Sequence, residues 1–332
     1  MIKAMFLIQH RDLPSCRYRV LQYLPRLEAE GIEHDLEEIP KGGSARRKLF
    51  RRLTDYDVVF LQKKNFYPWT LKGFRPYVKS LVYDIDDAVM LNDSTKKGFR
   101  SWRKEWRFAA VARMSRIVLV VNSYLALLAK PHAKDVRVLP TVVDMSRYVE
   151  PEDLDRSSDK VTIGWIGSAT TLPYLAVLRP ALEEVGRRNK NVQLKLICNT
   201  FFDLNNMPVI EAPWSEETEM RDLFSIDIGL APAIDDPWFR GKGTLKTVQY
   251  LAAGRAVVCA PIGSNRDLVV NGETGLWARS PGEWIHQIGR LVKDEALRRT
   301  LGEAGRKAVE KTHSLDAAVP DFVKAIKDAA SS

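Results

Sequence analysis

Short apolar, β-branched runs alternate with longer amphipathic stretches along the whole chain, the pattern of successive βα units around a parallel sheet. In the first half such runs fall at residues 5–9, 57–62, 81–86, 117–122 and 136–139. Helical stretches lie between them, including 17–30, which Gly31 closes as a C-cap, and one that Ser123 opens as an N-cap. The segment 149–160, VEPEDLDRSSDK, has no apolar periodicity and reads as a linker. Beyond it the alternation restarts, with strands at 161–166, 192–198, 226–231 and 256–260 and helices at 172–187, 215–224 and 244–254. Three further helices fill 281–329. No repeat of solenoid period is present. The expected fold is α/β: two Rossmann-like doubly wound domains, 1–150 and 151–332, facing across a cleft, with the last helices packing back towards the first domain.

The length of 332 residues agrees with two cores, and 45% hydrophobic with 28% charged residues is an ordinary globular composition. Cys16, Cys198 and Cys259 are far apart and odd in number, so buried reduced thiols are expected. The opening MIKAMFLIQH is too short in its apolar part for a signal peptide, and no run approaches the roughly 20 apolar residues of a spanning helix. A cytoplasmic protein is expected.

Charge divides the chain unequally. Residues 1–150 hold 28 Lys and Arg against 17 Asp and Glu, whereas the remainder holds 23 against 25. The excess gathers at Arg46-Arg47-Lys48, Arg51-Arg52, Lys63-Lys64 and KKGFRSWRKEWRF, in which Phe99, Trp102, Trp106 and Phe108 alternate with six cations. As a helix this last segment carries an aromatic face beside a basic one, suited to an anionic membrane surface, with nucleic acid as the competing partner. The aromatics packing on their own domain is the plainer alternative.

Candidate chemistry concentrates after residue 235, in DDPWFRGKGTLKTVQYLAAGRAVVCAP. A strand leads into a loop holding Arg240, Gly241, Lys242 and Gly243, and a helix starts near Thr244. Glycines admit an anion close to the backbone, first-turn amides point at it, and Arg240, Lys242 and Lys246 add positive charge. The segment is a candidate diphosphate cradle, with Thr244 and Leu245 supplying amides.

Asp84, Asp86 and Asp87 stand together at the end of the strand LVYDID. Three adjacent carboxylates call for compensation by a cation such as Mg²⁺, by sugar hydroxyls or by a neighbouring Arg, while one of them can serve as a helix cap. His10 follows the first strand; the five histidines have no metal-ligand spacing. No G-x-S-x-G, P-loop or C-x-x-C motif is present, which leaves hydrolase, NTPase and zinc chemistry without support.

The ordered series Ala252-Ala253-Gly254-Arg255-Ala256-Val257-Val258, Gly263 and Asn271-Gly272-Glu273-Thr274-Gly275-Leu276 resembles the donor-binding stretch of glycosyltransferase family 4 and similar GT-B enzymes. VTIGWIG, at 161–167, resembles the first strand and glycine turn of the donor domain, and PTVVD, at 140–144, the segment before it. Arg17-Tyr18-Arg19 and Asp84-Ile85-Asp86-Asp87 resemble R-Y-R and D-I-D-D in a subset of the family. Four positions depart from the pattern. Alignment on Ala253-Gly254 puts Gly241 and Gln249 where members commonly carry two glutamates, and Gly167 is followed by Ser168 and later Pro173 rather than by the usual Arg and Lys.

The resemblance implies a retaining transfer of sugar from a nucleoside-diphosphate sugar to a hydroxyl of a lipid-linked or polysaccharide acceptor. It implies no essential metal and no further cofactor. Donor contacts are expected from Gly167, Ser168, Arg240, Lys242, Gly243, Thr244, Leu245, Lys246 and Gln249. Asp84, Asp86, Asp87 and Lys246 are the catalytic candidates, and His10, Arg17 and Arg19 stand on the acceptor side. The expected partners are the nucleotide-sugar, the acceptor and an anionic inner membrane face, with no specific nucleic acid. A degenerate, non-catalytic GT-B-like binding module is the alternative.

Overall fold

A computed structural model describes residues 1–94, 98–154 and 159–331. The linker assigned to 149–160 and the basic segment beginning at Lys96 fall partly outside the described residues. Contacts divide the chain into two compact units. The first comprises Met1–Val142, Asp236–Gly243 and Leu315–Ser332, the second Val143–Asp235 and Thr244–Ser314.

The first unit contains β1 (Ile2–Ile8), α1 (Pro14–Arg19), α2 (Leu24–Ala29), β2 (Ile32–Glu38), α3 (Gly43–Arg52), β3 (Val58–Gln62), α4 (Pro68–Phe74), β4 (Leu81–Ile85), α5 (Trp102–Met114), β5 (Ile117–Val120), α6 (Ser123–Ala129) and β6 (Val136–Val138). The second contains β7 (Val161–Ile166), α7 (Leu172–Ala176), α8 (Arg179–Arg188), β8 (Val192–Ile197), β9 (Val209–Ala212), α9 (Glu219–Phe224) and β10 (Ile228–Ala231). The chain then contributes α10 (Pro237–Arg240) to the first unit and returns to the second with α11 (Leu245–Ala252), β11 (Ala256–Cys259), α12 (Ser264–Leu268), β12 (Leu276–Trp277), α13 (Pro281–Lys293) and α14 (Glu295–Thr312). It ends in α15 (Leu315–Ala330) of the first unit.

Each unit is built on a six-stranded sheet, ordered β2-β1-β3-β4-β5-β6 and β12-β11-β10-β7-β8-β9, with every pairing parallel. The inner strands β3, β4, β5 and β7 are buried at every residue, because helices cover both faces. On one face of the first sheet Phe322 of α15 stacks on Tyr23 at 4.2 Å and lies 5.4 Å from Phe60. Strand order reverses between β1 and β3 and again between β7 and β10, and such switch points are where open α/β sheets take ligands at the carboxyl ends of their strands.

Local bounds differ from those expected of the sequence. The stretch 17–30 is two short helices joined by a 3₁₀ turn at Leu21–Tyr23, each helix with Pro in its first turn. The stretch 172–187 is likewise two helices, the second opening at Arg179-Pro180. The helix at 215–224 is shorter, Glu219–Phe224. All three cysteines are free and buried, and burial pushes the Cys16 thiol up to about 11.

His313 caps the end of α14, and its carbonyl accepts the Val143 N–H at 3.0 Å. Burial lowers its pKa to about 4. A histidine depressed in the folded state favours folding above the unfolded value near 6.5, and that contribution is lost as pH falls towards 4. Acid denaturation should therefore show a loss of up to roughly 3 kcal/mol across this window, absent from His313→Gln. Identical pH profiles for the two proteins would contradict it.

Candidate active site

At the switch point of the second unit the chain leaves β7 as Trp165-Ile166-Gly167 and turns through Ser168, whose amide donates to Thr171 Oγ1 at 3.0 Å. Gly167 is sterically required: a Cβ there would lie 2.3 Å from the buried Trp165 ring. The ammonium of Lys246, in the first turn of α11, lies 4.5 Å from the centre of that ring. A cation at this position opposes the helix dipole, so the arrangement suits an anion at the helix start.

Two polar residues, Asn265 and Tyr250, anchor this helix. Asn265 of α12 accepts from the hydroxyls of Thr244 and Thr247, while its amide donates to the carbonyls of Ala231 and Ala260 at 3.5 and 3.2 Å, at the ends of β10 and β11. Tyr250 Oη accepts the Ile166 N–H at 2.8 Å, tying α11 to the end of β7. At the other end Gly254 adopts φ +69°, and the Arg255 N–H closes the helix on Tyr250 O at 2.9 Å. Gln249 is buried and its amide donates to the carboxylate of Glu219, itself fully buried on α9.

A second polar group occupies the carboxyl edge of the first unit's sheet. Arg19 and Asp84 form a fully buried two-point pair, and Arg19 also donates to the carbonyls of Leu139 and Pro140 at 2.7 and 2.9 Å. Burial opposes the charge on Arg19, but the Asp84 carboxylate more than offsets this and holds the guanidinium above its ordinary value. Asp86 and Asp87 both pair with Lys63, at 3.0 Å for Asp86. Lys63 has φ +54°, a costly conformation for a side chain with a Cβ, and its N–H donates to Asp84 O at 2.7 Å. The carboxylates are thus compensated by Arg19, Lys63 and Lys242. Among the described residues no group of three or more His, Cys, Asp and Glu is arranged to hold a metal ion.

The loop read as a diphosphate cradle is divided between the units. Arg240, Gly241, Lys242 and Gly243 belong to the first; Thr244, Leu245, Lys246 and Gln249 belong to the second with Gly167 and Ser168. Lys242 Nζ lies 3.7 Å from Asp87 and 4.4 Å from the centre of the Trp238 ring. The Gly243 N–H donates to Asp86 O at 3.2 Å, and the Arg240 carbonyl accepts from Asn122 at 3.0 Å. Gly241 is buried, with Leu125 Cδ2 and Ala88 Cβ at 2.8 and 2.9 Å from where its Cβ would stand. No acidic side chain fits there without displacing both.

His10 is exposed and accepts the Asp12 N–H at 3.3 Å, and the Arg17 guanidinium lies over the Tyr18 ring at 4.6 Å. Trp165, Asn265 and Glu219 were not singled out by the sequence. Trp165, two residues before the expected glycine turn, is the one whose position alone offered a signal.

Residues 179–324 match the family model described as glycosyl transferase-like. No sequence among the curated proteins matches the chain. Among solved structures the chain is similar to a sucrose-phosphate synthase from Thermosynechococcus elongatus, with TM-score 0.75, 14% identity and 99% of each chain covered. It is also similar to the Anabaena HepE protein in complex with UDP and glucose, with TM-score 0.71, 14% identity, 99% of this chain and 100% of that one covered. A glycosyltransferase from Rickettsia africae gives TM-score 0.73 at 13% identity over 99% of both chains. The parallel sheets, their switch points and the likeness to these structures give this chain the GT-B fold, and its segment 179–324 is glycosyl transferase-like.

Proposed function

We propose that the protein is a retaining glycosyltransferase that takes a UDP-sugar as donor and transfers the sugar to a hydroxyl of a lipid-linked or polysaccharide acceptor at the inner face of a membrane. The observation that carries this reading is the Gly167–Trp165–Lys246 constellation at the switch point of the second unit, where a close backbone turn, a helix start and a fixed cation stand together. The HepE structure, with UDP and glucose, supports the choice of nucleotide.

In this reading the diphosphate lies against Gly167, Ser168 and the amides of Thr244 and Leu245, with Lys246 neutralising the charge that develops as the bond to the anomeric carbon breaks. Fixed dipoles and one preorganised cation stabilise a leaving diphosphate without a metal. Gln249, oriented by Glu219, offers a neutral hydrogen-bonding group where related proteins commonly carry an acid. Lys242, on the first unit, is engaged there, with its ammonium 3.7 Å from Asp87. On the acceptor side, Asp86 and Asp87, paired with Lys63, are the groups for sugar hydroxyls, and His10 and Arg17 are the further acceptor candidates of this unit. Asp84 acts through Arg19 as a positioning residue, because both of its oxygens are engaged by the guanidinium.

The test is nucleoside diphosphate release from a panel of UDP-, GDP- and dTDP-sugars, with and without a lipid extract. Release from a UDP-sugar by the wild type, abolished in Lys246→Ala, is expected. Binding without turnover for every donor would favour a non-catalytic sugar-nucleotide module, the reading that the neutral Gly241 and Gln249 support.

Within the second unit, Gly167→Ala is expected to push Trp165 out of place and Lys246 with it. Tryptophan emission should shift and UDP affinity fall by about tenfold or more. Unchanged affinity would show that the turn tolerates a methyl group.

A further inference from the structure

On the first unit, α3, the 63–67 loop and α4 are locked together by three phenylalanines: Phe50 lies 6.1 Å from Phe66 and 4.8 Å from Phe74, and Phe66 lies 5.7 Å from Phe74. Arg46 precedes Phe50 by four residues, so it shares the helix face turned to this loop. Lys64 stands in the loop two residues before Phe66. From α5, Arg107 donates to the Asn65 carbonyl and lays its guanidinium 4.4 Å over the Tyr67 ring.

Arg107 and Lys64 therefore meet at residues 64–67, and Arg46, whose guanidinium also donates to the Lys41 carbonyl at 3.1 Å, is near enough for its charge to act on Lys64; none of the three has a carboxylate partner among the described residues. Both Arg46 Nε and Arg107 Nε are buried without a hydrogen bond. Burial, then the positive charge of Arg107 and Arg46, holds the Lys64 ammonium below its ordinary value. An anion would relieve all three. Arg47, Lys48 and Arg51, exposed on α3, extend the positive field with no acidic partner among the described residues.

Beside this cluster lies an aromatic ledge. Tyr67 stacks on Trp69 at 4.4 Å, and Trp69 lies 5.9 Å from Trp106. Trp69, Trp102 and Trp106 are 61%, 69% and 42% exposed, and Trp102 and Trp106 share one face of α5. Exposed tryptophans next to uncompensated cations match the chemistry of a bilayer interface, where indoles sit at headgroup level and Lys and Arg meet lipid phosphates.

We propose that Arg46, Lys64 and Arg107 bind the phosphate of an anionic lipid and that Trp69, Trp102 and Trp106 enter the bilayer interface beside it. The proposal rests on the reading that the acceptor is met at a membrane, and it names the surface that would do so. A phosphorylated soluble saccharide shares the phosphate chemistry, but it needs no exposed set of three indoles.

The full chain is mixed with phosphatidylcholine vesicles with and without phosphatidylglycerol, and separately with inorganic phosphate; co-sedimentation and tryptophan emission are read. Binding only to the anionic vesicles, with a blue shift, is expected. Arg46→Gln/Lys64→Gln/Arg107→Gln should weaken it about a hundredfold, Trp69→Ser/Trp102→Ser should remove the shift, and Arg107→Lys should retain binding. Equal vesicle binding by the triple variant and the wild type would overturn the proposal, as would phosphate binding by the wild type without vesicle binding. UDP-sugar turnover with a soluble acceptor is measured in parallel. A wild type that binds vesicles but never turns over defeats the enzymatic reading alone, and one that turns over without binding vesicles defeats this proposal alone.

Discussion

Asp84→Asn should destabilise the first unit by about 3–5 kcal/mol, the cost of leaving a buried arginine without its counter-ion. Arg19 is 1% exposed and its Nη1 already holds the carbonyls of Leu139 and Pro140, so Nε and Nη2 would be left buried against a neutral amide. Thermal unfolding should fall by roughly 10 °C. Arg19→Met/Asp84→Leu, which removes both charges, should retain more stability than either single change, because a buried ion pair replaced by apolar groups is often nearly neutral. A single variant within about 1 kcal/mol of the wild type would mean that Arg19 is satisfied without Asp84.

Restoring the acid that related proteins commonly carry should harm this one. Gln249→Glu would put a second carboxylate against Glu219 inside the second unit, where both residues are buried and the present contact depends on an amide donor. Like charges so close cannot both ionise, and the loss should be roughly 3 kcal/mol at neutral pH. The sign of the pH dependence follows. One carboxyl of the variant has its pKa raised in the folded state, so its destabilisation grows as pH rises through the ordinary carboxylate range and is relieved below it. A chemical denaturation series at several pH values tests this. A variant as stable as the wild type at neutral pH would show that Glu219 moves or that the pocket is wet. Adding Glu219→Gln to Gln249→Glu should restore stability by exchanging donor and acceptor.

These results bear on what the chain discloses without its structure. The alternation of apolar runs with amphipathic stretches was sufficient for two parallel sheets, because inner strands such as β3 and β7 are buried on both faces and read as continuous apolar segments. The strand β2, IEHDLEE, lies at a sheet edge with only Ile32 fully buried, and its composition hides it. The same holds for β9. In α3 three cations before and two after mask the apolar pair Leu49 and Phe50 that anchors it.

Site residues follow the same logic. Glycine before a helix and lysine in its first turn are local signals, so Gly167 and Lys246 were legible. The partition of the 240–243 loop from Lys246 was not, because it depends on Gly241 finding Ala88 and Leu125 more than a hundred residues away in sequence. Neither was Glu219, whose meaning comes from Gln249 on another helix, nor Asn265, which acts by joining the ends of β10 and β11 to α11.

Titration calorimetry of UDP against the wild type, Lys246→Ala and Lys293→Ala tests the donor assignment most directly. Lys293 lies at the end of α13 and serves as the distant charge control. The account predicts that Lys246→Ala weakens binding by about tenfold to a hundredfold while Lys293→Ala binds as the wild type does. Equal affinities for all three proteins would contradict it, since the diphosphate would then lie elsewhere than against Trp165 and the start of α11.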